Sequence, residues 1–207
     1  MDIVVIGHTF NSFYYLQLLN RRYIIYKDMG SVKTPLPVLL FSGIIAQSDY
    51  KDQALEVLEK AFGTIIEETP YVKFNHTDYY EKEMGKNLFR KWVAFSKLIN
   101  PEEISSIKHT TNKLEMEYAV GGNRVFNLDP GYVSLQNMVL VTTKSYSHRI
   151  YLKDGIYGEV TLIYRKKDGF MPLQWTYPDY RDKITLDFFN RARRLLKELL
   201  KKEKAND

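Results

Sequence analysis

The stretch Val-Leu-Leu-Phe-Ser-Gly-Ile-Ile-Ala at residues 38–46 decides the fold. It is a continuous apolar run of strand length, as a strand buried on both faces requires. Working outward, Ser48 or Asp49 caps a helix with Ala54, Leu55, Leu58, Ala61 and Phe62 as its apolar stripe, and Gly63 ends it. Thr-Ile-Ile-Glu-Glu at 64–68 reads as a second strand, and 72–83 and 88–96 as further extended chain turning near Gly85. Asn100-Pro101-Glu102-Glu103 has the form of a helix start, with Asn as cap, Pro at the first helical position and Glu103 completing a capping box. Ile104, Ile107, Leu114 and Tyr118 share one face of that helix, Gly121-Gly122 stops it, and Arg-Val-Phe-Asn-Leu at 124–128 is the next strand. The order over 37–128 is therefore β-α-β-β-α-β, the split arrangement of ferredoxin-like folds.

Beyond Asp129-Pro130-Gly131, read as a turn, the pattern becomes strands only: 133–144, 148–152, 158–165 and 172–175, with turns at Asp154-Gly155 and Lys167-Asp168-Gly169. Thr185 is the expected cap of a final helix that points Phe188, Phe189, Leu195, Leu196 and Leu199 inward. The expected class is α+β: a ferredoxin-like βαββαβ core extended by C-terminal antiparallel strands and a last helix, as one domain over 29–207.

The 207 residues include 44% hydrophobic and 27% charged side chains, enough for a true core and against wholesale disorder. Aromatic content is high, with 16 Tyr and 11 Phe. There is no cysteine, which excludes disulfides, thiolate nucleophiles and Cys-ligated zinc and fits a cytoplasmic location. No run has the roughly 18 apolar residues of a membrane helix, so no membrane partner is expected. The net charge of +5 is carried by residues 191–204, where Arg191, Arg193, Arg194, Lys197, Lys201, Lys202 and Lys204 face only Glu198 and Glu203. Such a basic helix end reads first as a solvated face suited to the helix dipole. Residues 1–28 differ from the rest in their apolar and aromatic bias. They read either as upstream codons from a wrong start, the preferred reading, or as a genuine added strand and helix.

Four stretches gather polar groups among aromatics: 77–83, 127–132, 142–149 and 175–180. Glu81 and Glu83 sit two apart on an expected strand and so leave one face. With Asp78, Asp129 and Glu159 they suggest carboxylates meeting on a sheet face, a donor set for Mg²⁺. The metal candidates are Asp78, Glu81, Asp129 and Glu159. Lys144 and Arg149 are the anion-binding candidates, Arg supplying a rigid fork and Lys a point charge. His148, whose imidazole is the side chain suited to acid or base work, joins Asp129 and Glu159 as the candidate acid–base groups. Trp175, Tyr177 and Tyr180 are candidate stacking surfaces for a base or sugar. Each has a plainer reading as an ion pair, a turn bond or a loop packed on a sheet.

Several motifs are specific in combination: Phe74 to Gly85 (Phe-Asn-His-Thr-Asp-Tyr-Tyr-Glu-Lys-Glu-Met-Gly), Ile107 to Glu115, Asn127 to Tyr132 (Asn-Leu-Asp-Pro-Gly-Tyr), Val139 to Lys144, His148 to Tyr164, and Trp175 to Tyr180 (Trp-Thr-Tyr-Pro-Asp-Tyr). Over residues 36–203 the chain resembles an uncharacterised bacterial family of unknown function whose members often carry the label "GTP-binding protein". The start of that family resembles Met29-Gly30, in keeping with the reading of 1–28. The label does not extend to a P-loop GTPase, because no G-x-x-x-x-G-K-[ST] string exists here and Asn112-Lys113-Leu114-Glu115 only mimics a guanine motif inside a helix. The leading expectation is binding or processing of a phosphorylated small molecule or nucleotide, with a divalent cation. An RNA-binding or ribosome-associated module is the alternative, disfavoured by balanced charge outside the last helix. A structural or partner-binding protein is the third.

Overall fold

The computed structural model describes residues 16–19, 22–25 and 31–206. The chain forms two compact units, Met1–Pro35 and Leu36–Asp207. In the first, β1 (Leu16–Leu19) and β2 (Arg22–Ile25) form an antiparallel hairpin. Most of the 1–28 stretch read as a wrong start lies outside the described residues.

The second unit is an α+β layer structure. Its sheet has nine strands: β3 (Val38–Gln47), β4 (Ile65–Glu68), β5 (Val72–Lys73), β6 (Leu88–Ile99), β7 (Phe126–Val133), β8 (Asn137–Thr142), β9 (Ile150–Lys153), β10 (Ile156–Arg165) and β11 (Gly169–Pro172). All pairs are antiparallel in the order β11-β10-β8-β7-β3-β6-β4. β5 continues the outer edge of β6 after β4, and β9 shares the outer edge of β10 with β11. The helices are α1 (Lys51–Phe62), the single turn α2 (Glu81–Met84), α3 (Ile104–Glu117) and α4 (Lys183–Asn206).

Period-two alternation on β3 divides the core. Val38, Leu40, Ile44 and Ala46 pack with Ala54 and Leu58 of α1 and Ile104 of α3. Leu39 and Phe41 face the other way, onto Phe188, Phe189, Ala192 and Leu196 of α4. This explains the unbroken apolar run: β3 is central and covered on both sides. A small third cluster of Ile45, Met84 and Leu88 lies under Phe74 and Tyr80, on the α4 side but away from α4.

Several local expectations change. Asp129-Pro130-Gly131 is not a turn but the middle of β7, paired residue by residue with Gly43, Ser42 and Phe41. The strand expected over 133–144 is two strands, broken where the hydroxyl of Ser134 bonds the backbone of Gln136 and Asn137. Glu81 and Glu83 occupy α2 rather than a strand, so the two-residue spacing does not place them on one face. The strand expected at 172–175 lies earlier, at β11. Thr185 is inside α4, and its hydroxyl donates to Asp179 O at 2.8 Å instead of capping the helix start. The capping carboxylate at Asn100 is present as read, Glu103 Oε1 accepting the Asn100 N–H at 2.7 Å.

Gly131 is required by contact. A Cβ there would stand 2.3 Å from Val139 O and 2.5 Å from the Phe41 ring, so backbone and core would both have to move. Gly131→Ala is expected to destabilise the fold by about 3 kcal/mol, the upper end of overpacking costs. Gly158→Ala meets only the flexible end of Leu152 at 3.1 Å and is the milder comparison. Urea unfolding of the two variants measures the difference.

Candidate functional site

The site begins where the sheet opens. β7 and β8 pair only from Gly131–Val133 to Met138–Leu140. Towards Phe126 the two strands part, and the outer edge of β7 has no strand beside it. Buried backbone groups still need partners. Helix α3 supplies them: Glu115 Oε1 accepts the Leu128 N–H at 2.6 Å, and Lys108 Nζ donates to Leu128 O at 3.0 Å. Leu128 therefore aims its polar groups into the gap, and period two puts the nitrogen of Pro130 on the same side. A missing N–H is harmless there, because no ladder bond was available. The gap leads into a cavity of about 400 Å³.

Arg90 of β6 crosses the cavity floor. It is only 2% exposed. Its pairing partner on β3 is Ile45, and the next row is Trp92–Gly43–Asp129. The guanidinium lies diagonally over Gly43, where a Cβ would come within 2.8 Å of Nη2. Nη1 donates to Asp129 at 3.2 Å and Nη2 to the Tyr180 hydroxyl at 2.9 Å. Nε lies 3.2 Å from Asp179 but out of line for a hydrogen bond. Trp92 and Tyr180 flank the guanidinium, with ring centres 4.7 Å and 5.2 Å away. Burial works against this charge, and Tyr180, Asp179 and Asp129 outweigh it, so Arg90 stays protonated.

The two carboxylates beside Arg90 are pushed apart. Burial opposes the charge on Asp129, but Arg90 and then Lys108 prevail and hold its carboxyl below the usual range. At Asp179 burial prevails over Arg90 and lifts the carboxyl above that range. Burial also raises the phenols of Tyr80 and Tyr180. A pair of neighbouring carboxyls shifted in opposite directions is the pattern of acid–base pairs.

A second cation spans the layers. Arg124, just before β7, takes both oxygens of Glu83 at 2.8 and 2.7 Å, Glu115 Oε2 at 3.0 Å and Asn127 Oδ1 at 2.8 Å. These bonds fix the Asn127 amide with its oxygen towards Arg124. Its Nδ2 faces the side of Asp129, whose ionised form it favours, yet is buried without a hydrogen-bond partner. At the cavity mouth Lys144 Nζ donates to the exposed Tyr79 hydroxyl at 2.9 Å and sits 4.4 Å over its ring. That bond lowers the Tyr79 pKa.

Of the residues singled out from sequence, Asp129, Lys144, Arg149, Tyr177 and Tyr180 line this cavity. Glu159 does not. It is buried on β10, bonded by Arg149 Nε at 2.7 Å, His148 Nε2 at 3.1 Å and Thr161 Oγ1 at 3.1 Å. Arg149 is correspondingly committed, donating also to Lys144 O at 2.9 Å and the Tyr177 hydroxyl at 3.0 Å. His148 stacks on Trp175 at 5.4 Å over a separate shallow depression. Asp78 and Glu81 are exposed on the 74–84 segment. The four carboxylates of the expected metal set thus do not converge, and among the described residues no three His, Asp or Glu side chains are grouped to hold a metal ion. Nor do Trp175, Tyr177 and Tyr180 form one wall. Trp175 Nε1 bonds Val160 O at 2.9 Å on the outer edge of β10, in the gap between β9 and β11. Tyr180 is core, packed on Trp92 and Phe189.

Sequence reasoning missed Arg90, Lys108, Glu115 and Arg124, and held Asn127 and Asp179 only as members of chosen stretches, without a role. A signal existed for some of them. Arg90-Lys91 interrupts an apolar strand, and Lys108, Asn112 and Glu115 recur at helical spacing along α3.

The opposite shifts at Asp129 and Asp179 carry opposite pH signatures. A lowered carboxyl contributes stability above its unfolded value of about 3.9, lost as pH falls through the folded value. A raised one contributes stability below about 3.9, lost as pH rises through its folded value. Asp129→Asn is expected to cost about 2–3 kcal/mol at neutral pH, since Arg90 keeps Asp179 as a partner, and to flatten the acid limb. Asp179→Asn is expected to cost less and to flatten the opposite limb. Urea unfolding from pH 3 to 8 checks both signs.

Comparison with curated proteins returns no match, and neither does comparison with solved structures. Among the described residues no helix is long and apolar enough to cross a membrane. Residues 36–195 match one family over most of the chain, spanning β3 to the middle of α4 and every residue of the cavity described above. The chain belongs to the family DUF4416, a domain of unknown function.

Proposed function

We propose that the opening between β7 and β8 binds a small phosphorylated molecule with hydroxyl groups, such as a sugar phosphate or nucleotide. The observation that carries this reading is the Asn127 amide. It is 5% exposed, its orientation is fixed by Arg124, and its Nδ2 faces the Asp129 carboxylate without a well-formed hydrogen bond. An unmatched buried donor costs roughly 1–3 kcal/mol, and a ligand oxygen would offset it. Lys108 and Lys144 add ammonium groups that each make one hydrogen bond and retain donors for phosphate oxygens. Asp129 offers an acceptor to ligand hydroxyls, and Tyr79, Tyr80 and Tyr177 supply ring faces. A divalent cation enters this reading as an ion accompanying the ligand phosphate, with Asp129 as the carboxylate at hand. The strand order β7-β3-β6-β4 around α1 and α3 supports a ferredoxin-like split βαβ arrangement for this half.

The test is a thermal-shift panel of sugar phosphates and nucleotides, with and without Mg²⁺. Lys144→Ala removes a surface ammonium whose one side-chain bond is to Tyr79, so the fold should persist while ligand affinity falls about tenfold, the loss of one charge-assisted hydrogen bond. Asn127→Asp keeps the acceptor for Arg124, removes the unmatched donor and should abolish the shift. A panel without any stabilising compound, or stabilisation unchanged in both variants, would sink the reading.

A further inference from the structure

The β10–β11 turn and the exposed flank of α4 together form a ridge of positive charge that shares no residue with the cavity lining. Phe170 N donates to Asn190 Oδ1 at 3.0 Å, and the Arg193 guanidinium lies 3.4 Å from the centre of the Tyr164 ring. These contacts dock the hairpin against the middle of α4. Arg165, Lys166 and Lys167 in the turn are exposed, as are Arg194, Lys197 and Lys201 on the helix. The helical spacings of three and four put the latter three on one stripe, on the side of Asn190. Among the described residues none of these six cations has a carboxylate at ion-pair distance. By contrast, Lys183 in the same helix has Asp187 one turn on. Like charges three and four apart lower helix stability, a cost that Glu198 beside the stripe relieves in part and a bound polyanion would offset further.

We propose that this ridge binds the phosphate backbone of nucleic acid, without reading its sequence. Six unpaired cations from two elements match a charged polymer with regularly spaced phosphates. No large exposed apolar side chain of the described residues lies on the turn or on α4. The ridge thus offers neither a wedge for a lipid surface nor an aromatic platform for bases. Backbone phosphate contacts position a protein without conferring specificity, and they weaken steeply with salt.

Fluorescence anisotropy with a labelled 20-nucleotide single-stranded RNA, and with DNA of the same sequence, tests this on the full chain. Binding is expected for both polymers, with log affinity falling linearly in log salt. The triple variant Arg194→Glu/Lys197→Glu/Lys201→Glu should reduce that slope by about 2, from three phosphate contacts on a single strand. Lys166→Glu/Lys167→Glu should reduce it separately, and Lys60→Ala, at an exposed position of α1 outside both the ridge and the cavity, should leave it unchanged. No binding at 50 mM salt, equal slopes in the ridge variants and the parent, or an equal loss in Lys60→Ala would overturn the proposal. Capture by phosphatidylserine vesicles without capture of RNA or DNA would also overturn it, assigning the ridge to a lipid surface.

Discussion

A buried guanidinium has to be answered on every side, and Arg90 organises the molecule around that demand. Removing such a charge from water costs several kcal/mol unless neighbours replace the hydration. Its neighbours come from distant parts of the chain: Asp129 from β7, Asp179 and Tyr180 from the segment before α4, and Trp92 from its own strand. Gly43 on β3 leaves the room the side chain crosses. Two sheet rows, one central glycine and the docking of α4 are therefore tied to one charge. This is why the Trp-Thr-Tyr-Pro-Asp-Tyr segment is held so closely: Arg181 donates to Thr176 O at 2.8 Å, and Thr185 bonds Asp179 O. A loose segment would leave Arg90 with one carboxylate.

The cavity follows from a second unmet demand, the outer edge of β7. Sheets normally satisfy an edge with another strand or with water. Here the role passes to two side chains of α3, Glu115 and Lys108, which bond the N–H and C=O of Leu128 as a neighbouring strand would. Side chains fill less space than a strand, and the remainder is the cavity. Arg124 closes the arrangement by holding Glu115 and Asn127 together. Burial raises the Glu115 pKa against the pull of Lys108, so its charge depends on those partners staying in place.

The fold was legible where one local rule decided it. The apolar run at 38–46, the Gly63 stop and the Asn100–Glu103 helix start each have a single physical reading. The Asp129-Pro130-Gly131 stretch did not, because turn chemistry and strand chemistry compete there. Proline and glycine signal a turn when no tertiary partner is known. In the folded chain proline sits on an edge without a ladder, and glycine allows Phe41 and Val139 to close in. The site was legible to the extent that Asn127–Tyr132 and Trp175–Tyr180 were chosen as segments. Their geometry was not, because nothing in the strand Leu88–Ile99 distinguishes Arg90, which turns inward, from its neighbour Lys91 before the sheet is assembled. Glu159 was chosen for its charge, yet Arg149 and His148 consume it, a pairing that depends on β10 folding back along β9.

The same economy governs the other edges. The outer edge of β6 is covered by β4 and β5, with Thr69 between them exchanging bonds with Trp92: its N–H to Trp92 O at 3.0 Å, its hydroxyl from Trp92 N at 3.1 Å. The outer edge of β10 is covered by β9 and β11, and in the gap Trp175 and Thr176 bond Val160 O and Thr161 O. A bulge between Val160 and Leu162 marks the same place. In three separate positions the backbone of a long strand is thus completed by side chains rather than by more strand. Among the described residues, β7 is the strand where those side chains come from a helix, and there completion leaves the cavity. The location of the cavity follows the pairing: β8 stays on β10 through Thr142 but keeps β7 only through Leu140.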